Sequence, residues 1–407
     1  MRDRGREEPL PPERLAGFST RAIHEGDLAQ SGIAEQPVAP PVWLTADYVY
    51  ESLEHYTDVI NERRPGFVYG RYGNPTHVAL HNVLASLDAA EAAWSFASGM
   101  AAVHTAITTF AEKGDHVLAQ QTLYGGTYGF LTKMAPRYGI EASFVEAEVD
   151  ALASAIRPTT RLVVIEPLAN PTFAVADVKG IAAVCAERGV PLLVDNTVAT
   201  PYLLRPLELE GVSLVLHSTT KYIGGHSSLI GGSVAGNRAV IERIRHAAIE
   251  QGTTAGAFEA WLALMGVQTL GLRVERQCDN ALTIARFLHD QPNVVDVGYS
   301  GLPEHRHHER ARALFTGGRF GPMLSFTLAG GYEAAERMCD SLRLVRVGSS
   351  FGSLHSMVAQ PATTSHRQFS KEDRAAAGIT DGLIRFAVGG EDPDDLVADL
   401  AHALEKV

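Results

Sequence analysis

Between residues 116 and 217 the sequence alternates short apolar segments with amphipathic ones, and this alternation constrains the fold more than any other feature. The apolar segments have the length and composition of buried strands. They are His116–Ala119, Ala142–Val145, Arg161–Ile165, Pro191–Val194 and Val212–Leu216. Helical spacing is found between them, for example over Val178–Arg188. Strands that alternate with helices predict an α/β fold with a mostly parallel sheet and right-handed crossovers.

The segments on either side of this region predict further domains. Residues 1–73 are proline-rich with poor periodicity, and we expect an N-terminal extended arm that contacts a neighbouring subunit. Residues 74–265 are predicted to form the large domain, which begins with helices over His77–Ala90 and from Ser98 to about Glu112. Residues 266–407 are predicted to form a smaller C-terminal α+β domain. A helical stretch over Ala257–Leu288 leads into it, and its expected strands are Val294–Val297, Met323–Leu328 and Arg385–Val388.

Composition narrows the class of protein. The 407 residues are 45% hydrophobic and carry 47 acidic against 35 basic side chains, a net charge of -12. Such a balance argues against nucleic acid as the main partner, because phosphate backbones are bound by basic surfaces. The N-terminus has charges and prolines where a signal peptide needs an apolar stretch, and no segment predicts a membrane helix. We therefore expect a cytoplasmic enzyme without membrane or nucleic-acid partners.

Polar side chains follow several of the predicted strands. Asp195 ends one strand, and Glu166 and Asn170 end another. The segment HSTTKYIGGH follows a fourth strand and contains Lys221. In open parallel sheets ligands bind at the carboxyl ends of the strands, and the free N–H groups of a helix start such as Ser98-Gly99-Met100 favour an anion. The sequence thus predicts a cofactor pocket that contains an amine and hydrogen-bond donors for an anion.

Lys221 on its own admits other interpretations. It is an exposed lysine at a strand end in the simplest one, since lysine is almost never fully buried. Ser218-Thr-Thr-Lys221 also fits the S-x-x-K motif of penicillin-recognising serine enzymes, but neither S-D-N nor K-T-G occurs in the chain. A lysine held among apolar neighbours can instead form a Schiff base with a carbonyl, and the hydroxyls of Ser218 and Thr220 could bind a phosphate. These are the parts of a pyridoxal phosphate (PLP) site.

The motifs taken together resemble one family, the Cys/Met-metabolism PLP enzymes of fold type I. Its members include cystathionine γ-synthases, cystathionine and methionine γ-lyases and O-acylhomoserine sulfhydrylases. The resemblance runs from about Ser19 to the C-terminus. It is carried, in order, by YGRYGNPT (69–76), SGMAA (98–102), LYGGT (123–127), EPLANPT (166–172), VDNTVATP (194–201), STTKYIGGH (218–226), PATTSH (361–366) and LIRFAVGGED (383–392). The fold that it implies is that of the aspartate-aminotransferase-like PLP-dependent transferases.

The resemblance also implies roles around the PLP ring. Lys221 would hold PLP as a Schiff base and would move protons at Cα and Cβ once it is freed. Asp195 would pair with the protonated pyridine nitrogen, which keeps the ring an electron sink. Tyr124 would stack on the ring and protonate the leaving group at Cγ, for which we expect its phenol pKa to be lowered. Asn170 would lie near the phenolic oxygen.

Further roles concern the phosphate and the substrate. Backbone N–H groups of Gly99 and Met100 and the hydroxyls of Ser218 and Thr220 would bind the phosphate. Arg385 would bind the substrate carboxylate, and Ser350 would form a bond near the catalytic lysine.

The neighbouring subunit is implied as well. Tyr69 and Arg71 resemble a pair that reaches the phosphate in the adjacent protomer, which implies a homo-oligomer, usually a tetramer built as a dimer of dimers. His305, His307 and His308 lack carboxylate or cysteine partners and are expected to be structural, so no metal site is predicted.

The reaction itself is left open by the sequence. Our leading hypothesis is a γ-lyase that cleaves the C–S bond of methionine or cystathionine. The alternative is γ-replacement on an O-acylhomoserine. Methionine γ-lyases usually carry cysteine where this chain has Gly126, and cystathionine enzymes usually carry glutamate where it has Ser349. A PLP-free binding protein of the same fold is a third possibility, disfavoured by the presence of Lys221, Asp195 and Arg385 together.

Overall fold

The structure is a computed structural model that describes residues 17–27, 37–367 and 369–407. Much of the predicted N-terminal arm, residues 1–16 and 28–36, lies outside the described residues. The described part of the arm contains two short helices, α1 (Phe18–His24) and α2 (Leu53–Ile60), where we expected extended chain. Ala22 of α1 is buried in the same apolar cluster as residues of the next helix, α3 (Pro75–Leu87), so α1 packs against the large domain.

A seven-stranded sheet forms the centre of the large domain, in the order β1-β7-β6-β5-β4-β2-β3. Strands β2 to β6 are parallel, and β7 is antiparallel to both of its neighbours. The strands are β1 (Ala92–Phe96), β2 (His116–Gln120), β3 (Glu141–Val145), β4 (Thr160–Ile165), β5 (Leu192–Asp195), β6 (Val212–His217) and β7 (Gly232–Gly236). The predicted α/β fold with a mostly parallel sheet is confirmed.

Helices cover both faces of this sheet, because successive strand residues enter different apolar clusters. Leu162 and Val164 pack in one apolar cluster with helix α4 (Gly99–Phe110). Val163 and Ile165 pack in another cluster with helix α7 (Val178–Arg188). Burial on both faces explains why these strands are nearly continuous apolar runs. After α3, the large-domain helices are α4 (Gly99–Phe110), α5 (Gly125–Gly129), α6 (Val149–Ala155), α7 (Val178–Arg188), α8 (Thr200–Leu203), α9 (Arg238–Gln251) and α10 (Ala257–Val267).

A second sheet of five strands lies in the C-terminal region, in the order β10-β11-β12-β9-β8. Its strands are β8 (Val294–Gly298), β9 (Met323–Leu328), β10 (Arg346–Val347), β11 (Met357–Ala359) and β12 (Leu383–Ala387). The long helix α11 (Leu270–His289) precedes it, and its later helices are α12 (His308–Leu314), α13 (Gly331–Ser341), α14 (Lys371–Ala376) and α15 (Pro393–Leu404). No helix in the described parts of the chain has the length and apolar character needed to span a membrane.

The predicted helical stretch from Ala257 to Leu288 consists of two helices. α10 ends at Val267 and α11 begins at Leu270. The carbonyl of Gly266, near the end of α10, accepts bonds from the Thr269 hydroxyl (3.2 Å) and the Arg273 guanidinium (2.7 Å). The backbone N–H of Thr269 also donates to this carbonyl, at 3.3 Å, so the turn between the two helices satisfies a group that a helix end leaves free.

Strands β1 and β7 were not predicted. In β7 the reason is that the glycines at both of its ends resemble turn signals. The glycines have a packing reason instead. A Cβ on Gly232 would collide with the carbonyl of Ser98, and one on Gly236 would lie 2.9 Å from the carbonyl of Ser213. Close approach of neighbouring backbone therefore requires glycine at this antiparallel strand.

Candidate active site

The carboxyl ends of β5 and β6 bring Asp195 and the Lys221 turn together. Lys221 follows β6 in a turn, and its Nζ donates a hydrogen bond to Ser350 Oγ at 3.0 Å. The ammonium also lies 4.6 Å from the centre of the Phe351 ring. Burial and the nearby positive charge of Arg385 lower the pKa of Lys221 to about 8. The amine thus loses its proton much closer to neutral pH than an exposed lysine does, as a Schiff-base lysine requires.

Arg385, on β12 of the second sheet, is almost completely buried, with 2% of its surface exposed. Its Nη2 donates to the carbonyls of Ser349 (2.7 Å) and Ser350 (3.2 Å). Its Nε is buried without a hydrogen-bond partner among the described residues. Burial lowers the pKa of Arg385 to about 10, so the guanidinium stays charged at neutral pH. An unpaired buried donor on a fixed cation is a strong site for a carboxylate.

Asp195 is oriented by Thr197, two residues further along the chain. The Thr197 hydroxyl (2.5 Å) and its backbone N–H (3.1 Å) both donate to Oδ1 of Asp195. The same hydroxyl accepts the N–H of Ser218 at 2.8 Å, which connects the ends of β5 and β6. Burial raises the pKa of Asp195, an effect that the bonds from Thr197 oppose. A partner cation would offset the cost of ionising this carboxyl.

The start of α4 and the Lys221 turn, where the sequence predicts an anion site, lie close together. The Ser98 hydroxyl caps α4 by accepting the N–H of Ala101 at 3.0 Å. A Cβ on Gly99 would lie 2.9 Å from the Ser218 side chain, so only glycine allows this close approach. The Thr220 hydroxyl accepts the N–H of Gly231 at 2.9 Å. Its single proton can go either to the Gly231 carbonyl, 3.2 Å away, or to a phosphate oxygen.

Tyr124 and Asn170 are held by Glu166, which was not predicted as a site residue. Glu166 Oε1 accepts the Tyr124 N–H at 2.7 Å, and Oε2 accepts the Asn170 N–H at 3.1 Å. Oδ1 of Asn170 is buried without a partner among the described residues. Burial and the negative charge of Asp195 raise the pKa of the Tyr124 phenol, the reverse of the lowering that we expected. Tyr124 is therefore protonated at neutral pH and able to donate its proton.

Tyr69 and Arg71 belong to another part of the surface. They line a cavity together with Tyr48 and Tyr72. Arg71 donates to the carbonyl of Ile249 at 2.7 Å, and its guanidinium lies 5.2 Å from the Tyr72 ring centre. In the portion of the chain that the structure describes, no hydrogen bond or ring contact joins this pair to Lys221. Their predicted action in a neighbouring subunit stays a prediction.

Three residues support the site through contacts that the sequence does not predict. Thr197 and Glu166 lie within two of the motifs, but nothing in their spacing shows which atoms they contact. Arg273 of α11 is far from the motifs and binds the carbonyls of Tyr222 (2.8 Å) and Gly266 (2.7 Å). Its guanidinium occupies the space that a side chain at Gly225 would need, and Gly225 has a left-handed φ of 71°.

The residues fit PLP in several independent ways. The start of α4 and the adjacent hydroxyls can hold a phosphate, and Asp195 can pair with a pyridine nitrogen. Asn170 has an unpaired buried oxygen at the site. Lys221 has the lowered pKa of a reactive amine. Each of these features suits a different group of atoms in the cofactor.

Comparison with known proteins agrees with this geometry. The Cys/Met metabolism PLP-dependent enzyme family matches residues 19–405. The L-methionine gamma-lyase of Pseudomonas putida is 39% identical over 396 residues, which cover 96% of this chain and 98% of that protein. The O-succinylhomoserine sulfhydrylase of Pseudomonas aeruginosa is 38% identical over 390 residues, which cover 96% of this chain and 95% of that protein.

A solved structure is also similar. The putative O-acetylhomoserine (thiol)-lyase of Campylobacter jejuni has a TM-score of 0.91 and 29% identity, covers 96% of this chain and 100% of that chain, and contains N'-pyridoxyl-lysine-5'-monophosphate. The predicted cofactor and the predicted fold, that of the fold type I PLP enzymes, are confirmed. The chain is a PLP-dependent enzyme and belongs to the Cys/Met metabolism family.

Proposed function

We propose that this enzyme is a C–S γ-lyase acting on L-methionine or cystathionine. Water is consumed, the Cγ–S bond breaks, and the products are a thiol (cysteine from cystathionine), 2-oxobutanoate and ammonia. The observation that carries the proposal is the arrangement of Arg385, Lys221 and Tyr124. A buried cation with an unpaired donor, a lysine with a lowered pKa and a protonated phenol lie near one another. Relatives named L-methionine gamma-lyase support the choice of a thioether substrate.

Arg385 would bind the α-carboxylate of the amino acid. Its Nη2 is already engaged with the carbonyls of Ser349 and Ser350, which fixes the plane of the guanidinium. Nε then remains to donate to the substrate. A carboxylate there would gain a charge-assisted hydrogen bond from a buried guanidinium.

Lys221 would remove the proton from Cα and a second proton from Cβ. When bound, PLP supplies an electron sink that stabilises the negative charge left by these steps. Ser350 Oγ lies 3.0 Å from Nζ and orients the amine, while the Phe351 ring supports it from one side. A base whose pKa is about 8 can exchange protons readily at neutral pH.

Tyr124 would donate its proton to the sulfur that leaves Cγ. Its raised pKa keeps the phenol protonated until the substrate is bound. With 42% of its surface exposed, Tyr124 is accessible to the substrate. General acid catalysis of this kind contributes roughly 10²–10⁴-fold to a rate.

Gly126 favours a second candidate, γ-replacement on an O-acylhomoserine. A Cβ at this position would lie 2.9 Å from Met100 Sδ and would also collide with the Tyr124 ring. The Tyr124 ring therefore lies against Gly126, at a position where methionine γ-lyases usually carry cysteine. The relative named O-succinylhomoserine sulfhydrylase is nearly as similar as the lyase. In this reaction a thiol or carbon nucleophile would replace the acyloxy group at Cγ.

The experiment is a substrate comparison with PLP-loaded enzyme. L-Methionine, cystathionine and O-acetyl- and O-succinylhomoserine are each incubated with and without an added thiol, and products are followed by mass spectrometry. We expect 2-oxobutanoate from a thioether without added thiol. If no thioether yields 2-oxobutanoate, the lyase proposal is wrong. A replacement product formed only with added thiol would establish the second candidate.

The R385A variant tests the carboxylate site separately. Loss of a buried charge-assisted contact should weaken apparent substrate affinity by about 2–5 kcal/mol. The cofactor should still bind, because no PLP contact is assigned to Arg385. R346A serves as the matched control, since Arg346 is an exposed arginine of the same sheet. Unchanged affinity in R385A would remove it from the carboxylate site.

We further propose a homo-oligomer, a tetramer built as a dimer of dimers, in which Tyr69 and Arg71 complete the phosphate site of a neighbour. Mixing inactive R71A with inactive K221A tests this proposal. If the residues act across subunits, mixed dimers contain one site with both native residues, and part of the activity returns. If they act within one subunit, the mixture stays inactive.

A further inference from the structure

Glu166 joins two site residues that are 46 positions apart in sequence. Its Oε1 accepts the N–H of Tyr124 and its Oε2 accepts the N–H of Asn170, at 2.7 and 3.1 Å. Each carboxylate oxygen thus serves a different segment. The backbone N–H of Glu166 itself donates to Gln120 Oε1 at 2.8 Å, which fixes the residue at the end of β4.

The surroundings of Glu166 are unfavourable for a charge. The side chain is buried, and it lines a small apolar cavity that also borders Asp195. Burial and the negative charge of Asp195 raise the pKa of Glu166, while the two N–H bonds lower it. A buried carboxyl beside a second carboxyl is costly, and apolar packing alone would be served better by another residue. The cost indicates a role for its two acceptor oxygens.

We propose that Glu166 is a positioning residue whose two carboxylate oxygens fix Tyr124 and Asn170 relative to each other and so enable proton transfer at Cγ. The inference rests on the proposed function, in which Tyr124 protonates the leaving group. No hydrogen bond or ion pair joins Glu166 to Lys221 or Arg385 among the described residues. We therefore expect removal of the Cα proton to depend on Glu166 much less than cleavage at Cγ does.

The consequence is a separation of two steps that PLP enzymes of this kind perform in succession. Exchange of the Cα proton with solvent requires Lys221 and a bound substrate carboxylate. Cleavage at Cγ additionally requires Tyr124 at the right distance from the leaving group. A small displacement of a catalytic group is costly, because productive geometry needs the reacting atoms about 3–3.5 Å apart. Loss of Glu166 should therefore affect the second step selectively.

The test is the E166Q variant, studied as PLP-loaded enzyme with the substrate that the wild type cleaves. Glutamine has the same shape, but its amide has one acceptor oxygen, so one of the two N–H groups loses its partner. Cα–H exchange into deuterium oxide is followed by NMR, and Cγ cleavage by product formation. We expect Cα exchange within about threefold of the wild type and Cγ cleavage slower by roughly 10- to 100-fold, the effect of leaving one buried N–H group without an acceptor.

A second readout does not depend on turnover. Asn170 is assigned to the phenolic oxygen of PLP, so its displacement should shift the pH at which the absorption of the bound cofactor changes. E166D keeps the charge but is one methylene shorter, and it should show the same selective loss of Cγ cleavage to a smaller extent. It also provides a second, charged variant if E166Q does not fold.

The matched control is D399N in the second sheet's domain. Asp399 is also a buried carboxylate, and it accepts the N–H groups of Arg343, Leu344 and Val345 at 2.8–3.0 Å. Its loss should lower stability without changing the ratio of exchange to cleavage. Equal loss of both steps in E166Q, or no loss of either, would overturn the proposal for Glu166. A wild type that shows Cα exchange but no Cγ chemistry would instead refute the proposed function.

Discussion

Two pairs of ionisable side chains lie at the ends of neighbouring strands, and they are built on opposite principles. His217 at the end of β6 donates to both oxygens of Asp88, at 3.0 and 2.9 Å, and both side chains are buried. Glu166 and Asp195, at the ends of β4 and β5, are two carboxyls around one cavity. The first pair combines opposite charges, whereas the second combines like charges.

The difference separates a structural pair from a functional one. Burial disfavours a charged His217, but the charge of Asp88 and its hydrogen bond outweigh burial and raise the pKa of the imidazole. The protein alone therefore neutralises this pair. The carboxyl pair is not neutralised in this way: the charge of His217 lowers the pKa of Asp195, but burial outweighs this effect and raises the pKa of both carboxyls. Its missing positive charge is the one that the protonated pyridine of PLP would supply.

The largest effect is expected when the carboxyl pair is broken by D195N. Turnover should fall by roughly 10²- to 4 × 10³-fold, because removing one partner of a buried charge pair costs about 3–5 kcal/mol. Steady-state kinetics measure this loss. The apoprotein should at the same time become more stable to urea, since a like-charge contact is relieved. Unaltered turnover would show that Asp195 does not pair with the cofactor.

The D88N variant breaks the His217–Asp88 pair and should have the opposite effect, because it makes the folded apoprotein less stable. The free energy of unfolding should fall by about 1.5–3 kcal/mol, the value of a hydrogen bond to a charged group. Apoprotein and PLP-loaded enzyme should lose similar amounts, because this pair is complete without the cofactor. Urea unfolding of both forms measures the loss. E91Q, at an exposed carboxylate nearby, is the control and should change stability by no more than about 1 kcal/mol.

The pH dependence of apoprotein stability sharpens the comparison further. His217, Glu166 and Asp195 all have folded-state pKa values above the unfolded ones, so the stability that these three groups contribute is greatest at low pH and is lost as pH rises. The loss begins near the unfolded values, about pH 4 for the carboxyls and about 6.5 for His217, with a slope of up to about 1.4 kcal/mol per pH unit and proton. D195N should flatten the lower part of the curve and D88N the upper part. Identical curves for both variants would contradict the assignment.

Lys221 and Arg385 form a like-charged pair of the opposite sign, and they give the smallest expected effect. Their repulsion, added to burial, lowers the pKa of Lys221 to about 8. The rate of PLP rebinding to apoprotein should therefore rise about tenfold from pH 7 to a plateau above pH 8 as the amine loses its proton. Stopped-flow absorbance measures it. A midpoint near pH 10 would show that Lys221 behaves as an exposed lysine.

Much of the site could be predicted because its residues lie at strand ends that the apolar pattern reveals. Asp195 and Lys221 directly follow runs of buried residues, and parallel strands bring such ends to one edge. Arg385 could be placed only by resemblance, since it lies within a strand of another sheet. Its unpaired Nε and its contacts with Ser349 and Ser350 depend on tertiary packing.

The rest could not be predicted for identifiable physical reasons. A glycine such as Gly232 is typical of a turn, but here it begins an antiparallel strand. Glycine is needed at this position because the carbonyl of Ser98 lies where a side chain would be. The pKa of Tyr124 is raised because Asp195 and burial oppose its ionisation, and neither is visible in the letters LYGGT. Glu166 ends an apolar strand like Asp195 does, and only the structure shows its two different partners.

Arg273 has a mechanical consequence. Its guanidinium joins α11, the helix that leads into the second sheet, to the backbone just after Lys221 through the carbonyls of Tyr222 and Ile223. The guanidinium is buried, and it fills the space beside Gly225. We therefore expect a rotation of α11 to move the backbone after Lys221 as well, so a tilt of the second sheet that carries α11 with it would also change the position of the Lys221 amine.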